Sequence, residues 1–450
     1  MRVAFHTLGC KVNQYETEAM KEAFVSRGAT IVAEDEVADV YIVNTCTVTN
    51  IADRKSRQYI RRMKGVNPDA YVVVTGCYAQ VESEEVASLP EVDLVVGNSN
   101  KAKICDIVCG VLAGRDLSEL ADESRLVLPR NELTEFEDMG LVVSSESGMT
   151  RAYIKIQEGC DRFCAYCLIP FARGPVRSRP LEDILEEAHM LLDAGYKELV
   201  LTGINTALYG TDCGTSIESV LASLDAIDRD FRIRLSSLEP TVVDKNDVER
   251  IIRYNKLCHH LHLSAQSGSS HVLGLMNRHY NKEDYLDIVR AIHDYDPYYN
   301  ITTDIIVGFS GETDEDFQDS VDVTRKSEFG KVHIFRYSKR KGTVGEKLPD
   351  EVPGQVKTER AKILASAADE VAKTFIDKNI AQSQHRNGNA DRDASYRVLT
   401  EERHGNYVTG YTGNYIKTYI EDSKKELALG EFYNVQLTQI YKDGCKAKTI

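Results

Sequence analysis

From Arg2 onward the chain alternates short apolar, β-branched runs with longer stretches of helical period. Arg2–Thr7, Asp39–Asn44, Tyr71–Thr75 and Asp93–Gly97 read as strands, and Tyr15–Arg27 and Asp53–Lys64 as helices. Strands joined through helices imply a parallel sheet. The stretch from about Leu117 to Gly148 is acidic and irregular and reads as a linker. A second series follows, with strands at Tyr153–Gln157, Glu198–Thr202, Arg232–Ser236, His260–Ser264, Thr302–Val307 and Val332–Tyr337. Helical patterns separate them at Leu181–Ala194, Ile217–Ile227, Asp247–Tyr254, Lys282–Tyr295 and Asp314–Glu328. Six βα units fit a partial TIM-like barrel, whose chemistry belongs at the carboxyl ends of the strands. After the helical bridge Val356–Asn379, the segment Gln382–Ile450 turns rich in Thr, Val and Tyr with spaced glycines, as a small antiparallel β-barrel does. The expected fold class is therefore α/β: an open parallel sheet over residues 1–115, a linker over 116–148, a (β/α)6 barrel with its bridging helix over 149–379, and a β-barrel over 380–450.

Composition narrows the picture. A chain of 450 residues holds several domains. No apolar run approaches the roughly 18 residues of a membrane span, and MRVAFHTLGCKVNQ turns polar too early for a signal peptide. A cytoplasmic protein is expected, with no membrane partner. There, 11 cysteines suit metal ligation or core filling better than disulfides. The formal charge of −15 argues against non-specific nucleic-acid binding but leaves room for a local basic surface.

The sharpest signal is EGCDRFCAYCLIPFARG, Glu158 to Gly174, where Cys160, Cys164 and Cys167 end the first barrel strand. A structural zinc site wants four closed ligands, and a four-iron cube usually takes four thiolates. Three thiolates leave one iron open for an exogenous ligand. Ordinary buried cysteines are the plainer reading, which three thiols on one short polar loop disfavour. A second set, Cys10, Cys46 and Cys77, sits in HTLGCKVNQYE, VNTCTV and VTGCYAQ, each directly after a strand. In neighbouring parallel strands these thiols would share one sheet edge and could hold a second cube; scattered core cysteines are the alternative. Cys105 and Cys109 in KICDIVCG share a helix face and read as core, while Cys213, Cys258 and Cys445 receive no role.

The triplet at the end of the first strand of a partial barrel resembles the radical S-adenosylmethionine superfamily. With the N-terminal cysteines and the C-terminal tail, nearly the whole chain resembles the methylthiotransferases of that superfamily. The resemblance implies two [4Fe-4S] clusters, an auxiliary one on Cys10, Cys46 and Cys77 and a radical one on Cys160, Cys164 and Cys167. It implies S-adenosylmethionine on the open radical-cluster iron, with Gly203 in LTGIN, Glu239 in SSLEP, Gln266 in HLSAQSGS, Arg278 in MNRHY and Asp304 in ITTDIIVGF as contacts. Singly, Glu239 also suits a helix cap, Arg278 a solvated surface and Asp304 a sheet support. No catalytic side chain is expected beyond the clusters. GFSGET, Gly308 to Thr313, departs from the family's GFPGET at Ser310, and the two glycines should keep the turn.

The GCKVNQ motif resembles the branch acting on N6-threonylcarbamoyladenosine (t6A) at tRNA position 37, which implies methylthiolation of carbon 2 to give ms2t6A. Alternatives are methylthiotransferases of isopentenyladenosine in tRNA or of a ribosomal-protein side chain. A non-catalytic iron–sulfur RNA-binding protein is the reading from another class. The resemblance further implies tRNA and an electron donor such as flavodoxin or ferredoxin as partners, and a TRAM domain as the OB-like β-barrel. Arg173, Arg177 and Arg179 are candidates for RNA phosphate or for a solvated loop. Tyr407, Tyr411, Tyr415 and Tyr419, at four-residue intervals, are candidates for base stacking or for barrel filling.

Overall fold

The computed structural model describes residues 1–122, 125–140, 150–240, 242–385 and 396–450. Residues 141–149 of the expected linker and 386–395 at the start of the expected β-barrel lie outside the described residues.

The first sheet contains β1 (Arg2–Thr7), β2 (Thr30–Val32), β3 (Val40–Thr45), β4 (Tyr71–Gly76) and β5 (Leu94–Val95). They run parallel in the order β2-β1-β3-β4-β5. Alternate residues feed two cores. Val3, Val40, Ile42 and Val73 pack with Phe24 and Ile104 on one face. Ala4, Tyr41, Val43 and Val74 pack with Ile60, Met63 and Tyr78 on the other. Coverage of both faces explains why β3 is buried throughout, and apolar from Val40 to Val43, rather than alternating. The three-residue β2 is too short to show a period, so the pattern of the chain did not reveal it. In this topology the strand order reverses between β1 and β3, and ligands bind in the crevice outside the carboxyl ends there. Within the stretch read as linker, Leu117–Leu120 form a helix and Leu126 is buried in the first core.

The barrel is built from β6 (Ala152–Glu158), β7 (Arg177–Ser178), β8 (Glu198–Gly203), β9 (Arg232–Leu235), β10 (Ser237–Leu238), β11 (His260–Leu263), β12 (Asn300–Val307) and β13 (Lys331–Arg336). It forms two parallel arcs, β6-β8-β9 and β10-β11-β12-β13, with β7 antiparallel on the first edge. Only Ser236 separates β9 from β10, so the six expected units are present and the third strand is split at a kink. Capping boxes at Asn281/Asp284 and Thr313/Asp316 start two of the barrel helices. In the GFSGET turn, Gly308 and Gly311 have φ of 73° and 86°, and the Glu312 carboxylate accepts from the Gly308 N–H at 2.6 Å. The turn therefore holds without proline.

The helix Gly354–His385 leads to a closed barrel of β14 (Tyr396–His404), β15 (Tyr407–Thr412), β16 (Lys417–Glu421), β17 (Phe432–Tyr441) and β18 (Gly444–Thr449), ordered β14-β15-β16-β18-β17. All its pairs are antiparallel except β16–β18, a parallel closure not expected from the sequence. Phe375 and Ile380 of the helix plug its core. Polar contacts seat it under the larger barrel: Arg232 and Arg234 flank buried Glu198, Arg232 Nη2 donates to the Tyr411 carbonyl at 3.0 Å, and Asn300 donates to the Asn414 carbonyl at 2.8 Å. Among the described residues, no helix is long and apolar enough to cross a membrane.

Candidate functional site

Cys160 follows β6 at the end of the barrel where chemistry is expected. Gly159 has φ of 74°, and a Cβ there would lie 1.6 Å from the Pro175 carbonyl oxygen, so only glycine lets the loop pass. The Cys160 N–H donates to the Gly174 carbonyl at 3.0 Å and the Ala165 N–H to the Met276 carbonyl at 2.9 Å. Burial pushes the Cys160 thiol up to about 12 and also raises Cys164 and Cys167. Such thiols keep their protons at neutral pH until a metal displaces them.

Two expected cofactor contacts converge on this loop. Glu239, at the end of β10, is buried and takes Arg278 at 2.7 Å, Arg162 of the cysteine loop at 3.1 Å and Asn205 at 2.7 Å. Arg278 also donates to the hydroxyl of Tyr166, which lies between Cys164 and Cys167, at 2.9 Å. Arg278 is thus a buried ion-pair member, not a solvated residue. Gly203 ends β8, where a Cβ would come within 3.0 Å of the Gln157 side chain. Gln266 has φ of 63° and bridges β12, its N–H donating to the Asp304 carbonyl at 2.8 Å. The Asp304 carboxylate faces His262 at 3.1 Å and Ser264 at 3.2 Å, on a separate network from Glu239.

Cys10, Cys46 and Cys77 leave the carboxyl ends of β1, β3 and β4, flanking the point where the strand order reverses. A Cβ on Gly9 would stand 2.9 Å from Cys46 Cβ, so those two loops touch. Gly76, φ 96°, lies so close to Thr45 that a Cβ would meet its carbonyl oxygen at 2.3 Å, which joins the loops of Cys46 and Cys77. Burial raises the Cys10 thiol, and lifts Cys46 to about 12 with help from Cys77. Asn13, which sequence reasoning left without a role, organises the set: its Nδ2 donates to the Leu8 carbonyl at 2.7 Å and the Thr45 carbonyl at 3.0 Å.

Neither expected role of Arg173, Arg177 and Arg179, contact with RNA phosphate or a solvated loop, fits the structure. All three are buried. Arg179 pairs with Glu187. Arg173 and Arg177 join a closed network in which Arg173, Arg177, Lys101 and Lys155 pair with Glu16 and Glu158. The network fuses the first sheet to the barrel, and Arg173 Nε reaches the Cys77 sulfur at 3.3 Å. A second tie runs from Arg340, after β13, to Asp53 at 2.6 Å and Thr47 at 2.7 Å, next to Cys46. The missed signal was an arginine between Ala172 and Gly174, small residues that suit a closely packed loop.

Each cysteine set suits a four-iron cube with one open iron. The donors are soft thiols, three per set, on loops held together by backbone contacts. Among the described residues, no Cys, His, Asp or Glu side chains converge as they would on a single metal ion. A cube asks for thiols spread around it, each on a different iron. The network beside Cys77 sets four basic side chains against two carboxylates, a surplus that suits the anionic charge of a thiolate-ligated cluster.

The tyrosines divide into two groups. Tyr411 and Tyr415 stack at 4.8 Å under Arg151 and Arg234 and serve the seam with the larger barrel. Tyr407, Tyr419 and Tyr441 form a separate cluster, 5.1–6.5 Å between centroids, beside Lys417, Lys442 and Lys446. Cys105 packs in the first core as expected. A cavity of about 690 Å³, lined by Arg232, Lys256, His259, Arg397 and Phe432, lies at the amino ends of the barrel strands, away from both cysteine sets.

Residues 2–97 match the uncharacterized protein family UPF0004, and residues 154–323 match the Radical SAM superfamily. In fold the chain is similar to the radical S-adenosylmethionine methyltransferase TsrM from Kitasatospora setae, with a TM-score of 0.55 and 15% identity over 74% of each chain. The threonylcarbamoyladenosine tRNA methylthiotransferase MtaB of Bacillus subtilis is 39% identical over 97% of this chain and 93% of its own. That of Thermotoga maritima is 36% identical over 100% and 98%. The tRNA-2-methylthio-N(6)-dimethylallyladenosine synthase of Pelotomaculum thermopropionicum is 33% identical over 90% of each. The chain therefore belongs to the radical S-adenosylmethionine methylthiotransferase family, among the threonylcarbamoyladenosine tRNA methylthiotransferases.

Proposed function

We propose that this protein adds a methylthio group to carbon 2 of N6-threonylcarbamoyladenosine at position 37 of tRNA. The observation that carries this reading is identity of 34–41% over 84–100% of the chain with relatives of that name. The dimethylallyladenosine synthases reach 32–35% over 81–90% of the chain, against 34–41% over 84–100%, which makes isopentenyladenosine the weaker reading.

The division of labour proposed here gives residues 1–115 the auxiliary cluster, 149–379 the radical cluster and 380–450 the RNA contact, with 116–148 joining the first two. Cys160, Cys164 and Cys167 would hold one [4Fe-4S] cluster and Cys10, Cys46 and Cys77 the other. Carbon 2 of adenine bears a C–H bond that no side-chain base deprotonates. Bound clusters and S-adenosylmethionine supply the one-electron and sulfur chemistry that such a carbon demands. The chain's own residues bind and orient. Gly203 lets the backbone approach the cofactor, Glu239 and Arg278 offer a carboxylate and a guanidinium to its polar groups, and Gln266 and Asp304 stand on the adjoining strand ends. The Glu239–Arg278 pair holds both side chains in place beforehand, which limits the ordering required on binding. Arg173 and Arg340 clamp the first sheet onto the barrel. The Tyr407, Tyr419 and Tyr441 cluster with its lysines suits stacking and phosphate contact with an anticodon stem-loop. The base must leave its stack to reach carbon 2. A flavodoxin- or ferredoxin-class donor and a cytoplasmic setting complete the reading.

The test is nucleoside mass analysis of tRNA from a strain lacking its own t6A methylthiotransferase. This chain should restore the methylthio mass on t6A, and Cys46→Ala or Cys164→Ala should abolish it. Restoration on isopentenyladenosine alone would refute the substrate assignment.

A further inference from the structure

Arg173 ends the short helix Ile169–Arg173 that follows the radical-cluster cysteines, yet its guanidinium reaches the other set. The residue is fully buried. Nη1 donates to Glu158 at 2.6 Å, Nη2 to Glu16 at 3.0 Å and to Asn13 Oδ1 at 2.6 Å, and Nε to Cys77 Sγ at 3.3 Å. Asn13 carries the contact onward to the carbonyls of Leu8 and Thr45, which precede Cys10 and Cys46. One side chain therefore touches Cys77 directly and the other two cysteine loops through one residue. Its neighbour Gly174 accepts from the Cys160 N–H, so the same segment pins the first ligand of the radical cluster. Ion pairing alone would be met by the two terminal nitrogens and the two carboxylates. The Nε contact to sulfur is the part that docking does not require.

We propose that Arg173 is a positioning residue that sets the reduction potential of the auxiliary cluster. An N–H donated to a ligating thiolate, with a buried positive charge behind it, stabilises the more negative, reduced form of the cluster. The potential is thereby raised, on the loop that also positions the radical cluster. This inference rests on the proposed ligation of the auxiliary cluster by Cys10, Cys46 and Cys77.

The test uses the full-length chain with Cys160→Ala, Cys164→Ala and Cys167→Ala, reconstituted anaerobically, which should hold about four irons. At the ambient potential that half-reduces this cluster, Arg173→Lys and Arg173→Met should lower the reduced-to-oxidised ratio about tenfold, or ~59 mV for one electron. Arg340→Met loosens the other tie between the sheet and the barrel without touching Cys77, and should leave the ratio unchanged. An unshifted ratio in the Arg173 variants, or an equal shift in Arg340→Met, overturns the inference. Should the Arg173 variants fail to assemble the cluster, 15N-arginine labelling of the chain with Arg173 intact answers the same question. A 15N hyperfine coupling to the reduced cluster is expected, and its absence overturns the inference. Absence of iron in the Arg173-containing chain instead removes the two-cluster reading, and this inference with it.

Discussion

Glu16→Gln tests whether the joint between sheet and barrel is held by compensated charge. Glu16 is fully buried and faces three cations: Arg173 Nη2 at 3.0 Å, Lys155 at 3.7 Å, and Lys101 in direct contact. At an effective dielectric near 20, each pair at about 4 Å is worth ~4 kcal/mol. Three such pairs outweigh a desolvation penalty of several kcal/mol per ion only while the carboxylate is present. Its isosteric amide keeps the volume and removes the charge, which leaves Arg173 and Lys155 to share Glu158 with Arg177 and takes the carboxylate away from Lys101. Removal of one partner from such a cluster costs about 3–5 kcal/mol. Burial lowers the pKa of Lys101, so in the variant this lysine can shed its proton, which places the expected loss near the lower end.

The assay is urea unfolding of the metal-free chain followed by circular dichroism, since the chain has no tryptophan. With m of roughly 2–3 kcal/mol per molar, the first transition should move down by about 1–2 M. The sign with pH follows from Glu16. Burial pushes its pKa up, but Arg173, Lys101 and Lys155 outweigh it and hold the carboxyl well below the usual range. Its stabilisation is therefore complete above the unfolded value of ~4.3 and is lost as pH falls toward the folded value. The gap between wild type and variant should shrink in acid, as pH falls from the unfolded value of Glu16 toward its folded value. A midpoint shift below about 0.3 M, or a gap that grows in acid, would refute the reasoning.

Gly159→Ala would drive a Cβ to 1.6 Å from the Pro175 carbonyl at φ of 74°, so the Cys160 loop must move. Reconstituted iron should fall from about eight to about four per chain, and full iron content would contradict this. His260 is buried, and desolvation with nearby Arg234 holds its pKa well below the ordinary value. Below pH ~6.5 the unfolded chain takes up a proton that the folded chain refuses, so stability falls by about 1.4 kcal/mol per unit. His260→Gln should remove that component between pH 7.5 and 5.5 in urea titrations; a pH-independent difference would argue against it.

The parts of the fold that repeat a local period were legible in the sequence. All six barrel strands and β1, β3, β4 and β5 of the first sheet lie within two residues of their expected limits, since each is set by side chains within its own segment. The loops with Cys160, Cys164 and Cys167 could be placed for the same reason. β2 and β7 are only three and two residues long, and the parallel β16–β18 closure depends on which strand returns beside which. The largest error concerned charge. Arg173 and Glu16 are 157 residues apart. A charged residue with no local partner reads as solvated, and the pairing that buries it exists only once two domains have met. Asn13 was invisible for a related reason, because its partners are backbone carbonyls of two loops.

That error bears on how the site works. The cysteine sets lie at the ends of separate sheets, so their relation depends on the joint between those sheets. An apolar joint would resist separation but tolerate sliding, because the hydrophobic effect has no direction. Here the joint is made of guanidinium and carboxylate groups whose hydrogen bonds have fixed lengths and angles. Arg173 anchors it beside Cys77 and Arg340 beside Cys46. Two directional anchors, from the loops after β6 and β13, oppose rotation as well as separation of the first sheet over the barrel. On the proposed function, in which both cysteine sets serve one carbon, that constraint does more than additional buried area would.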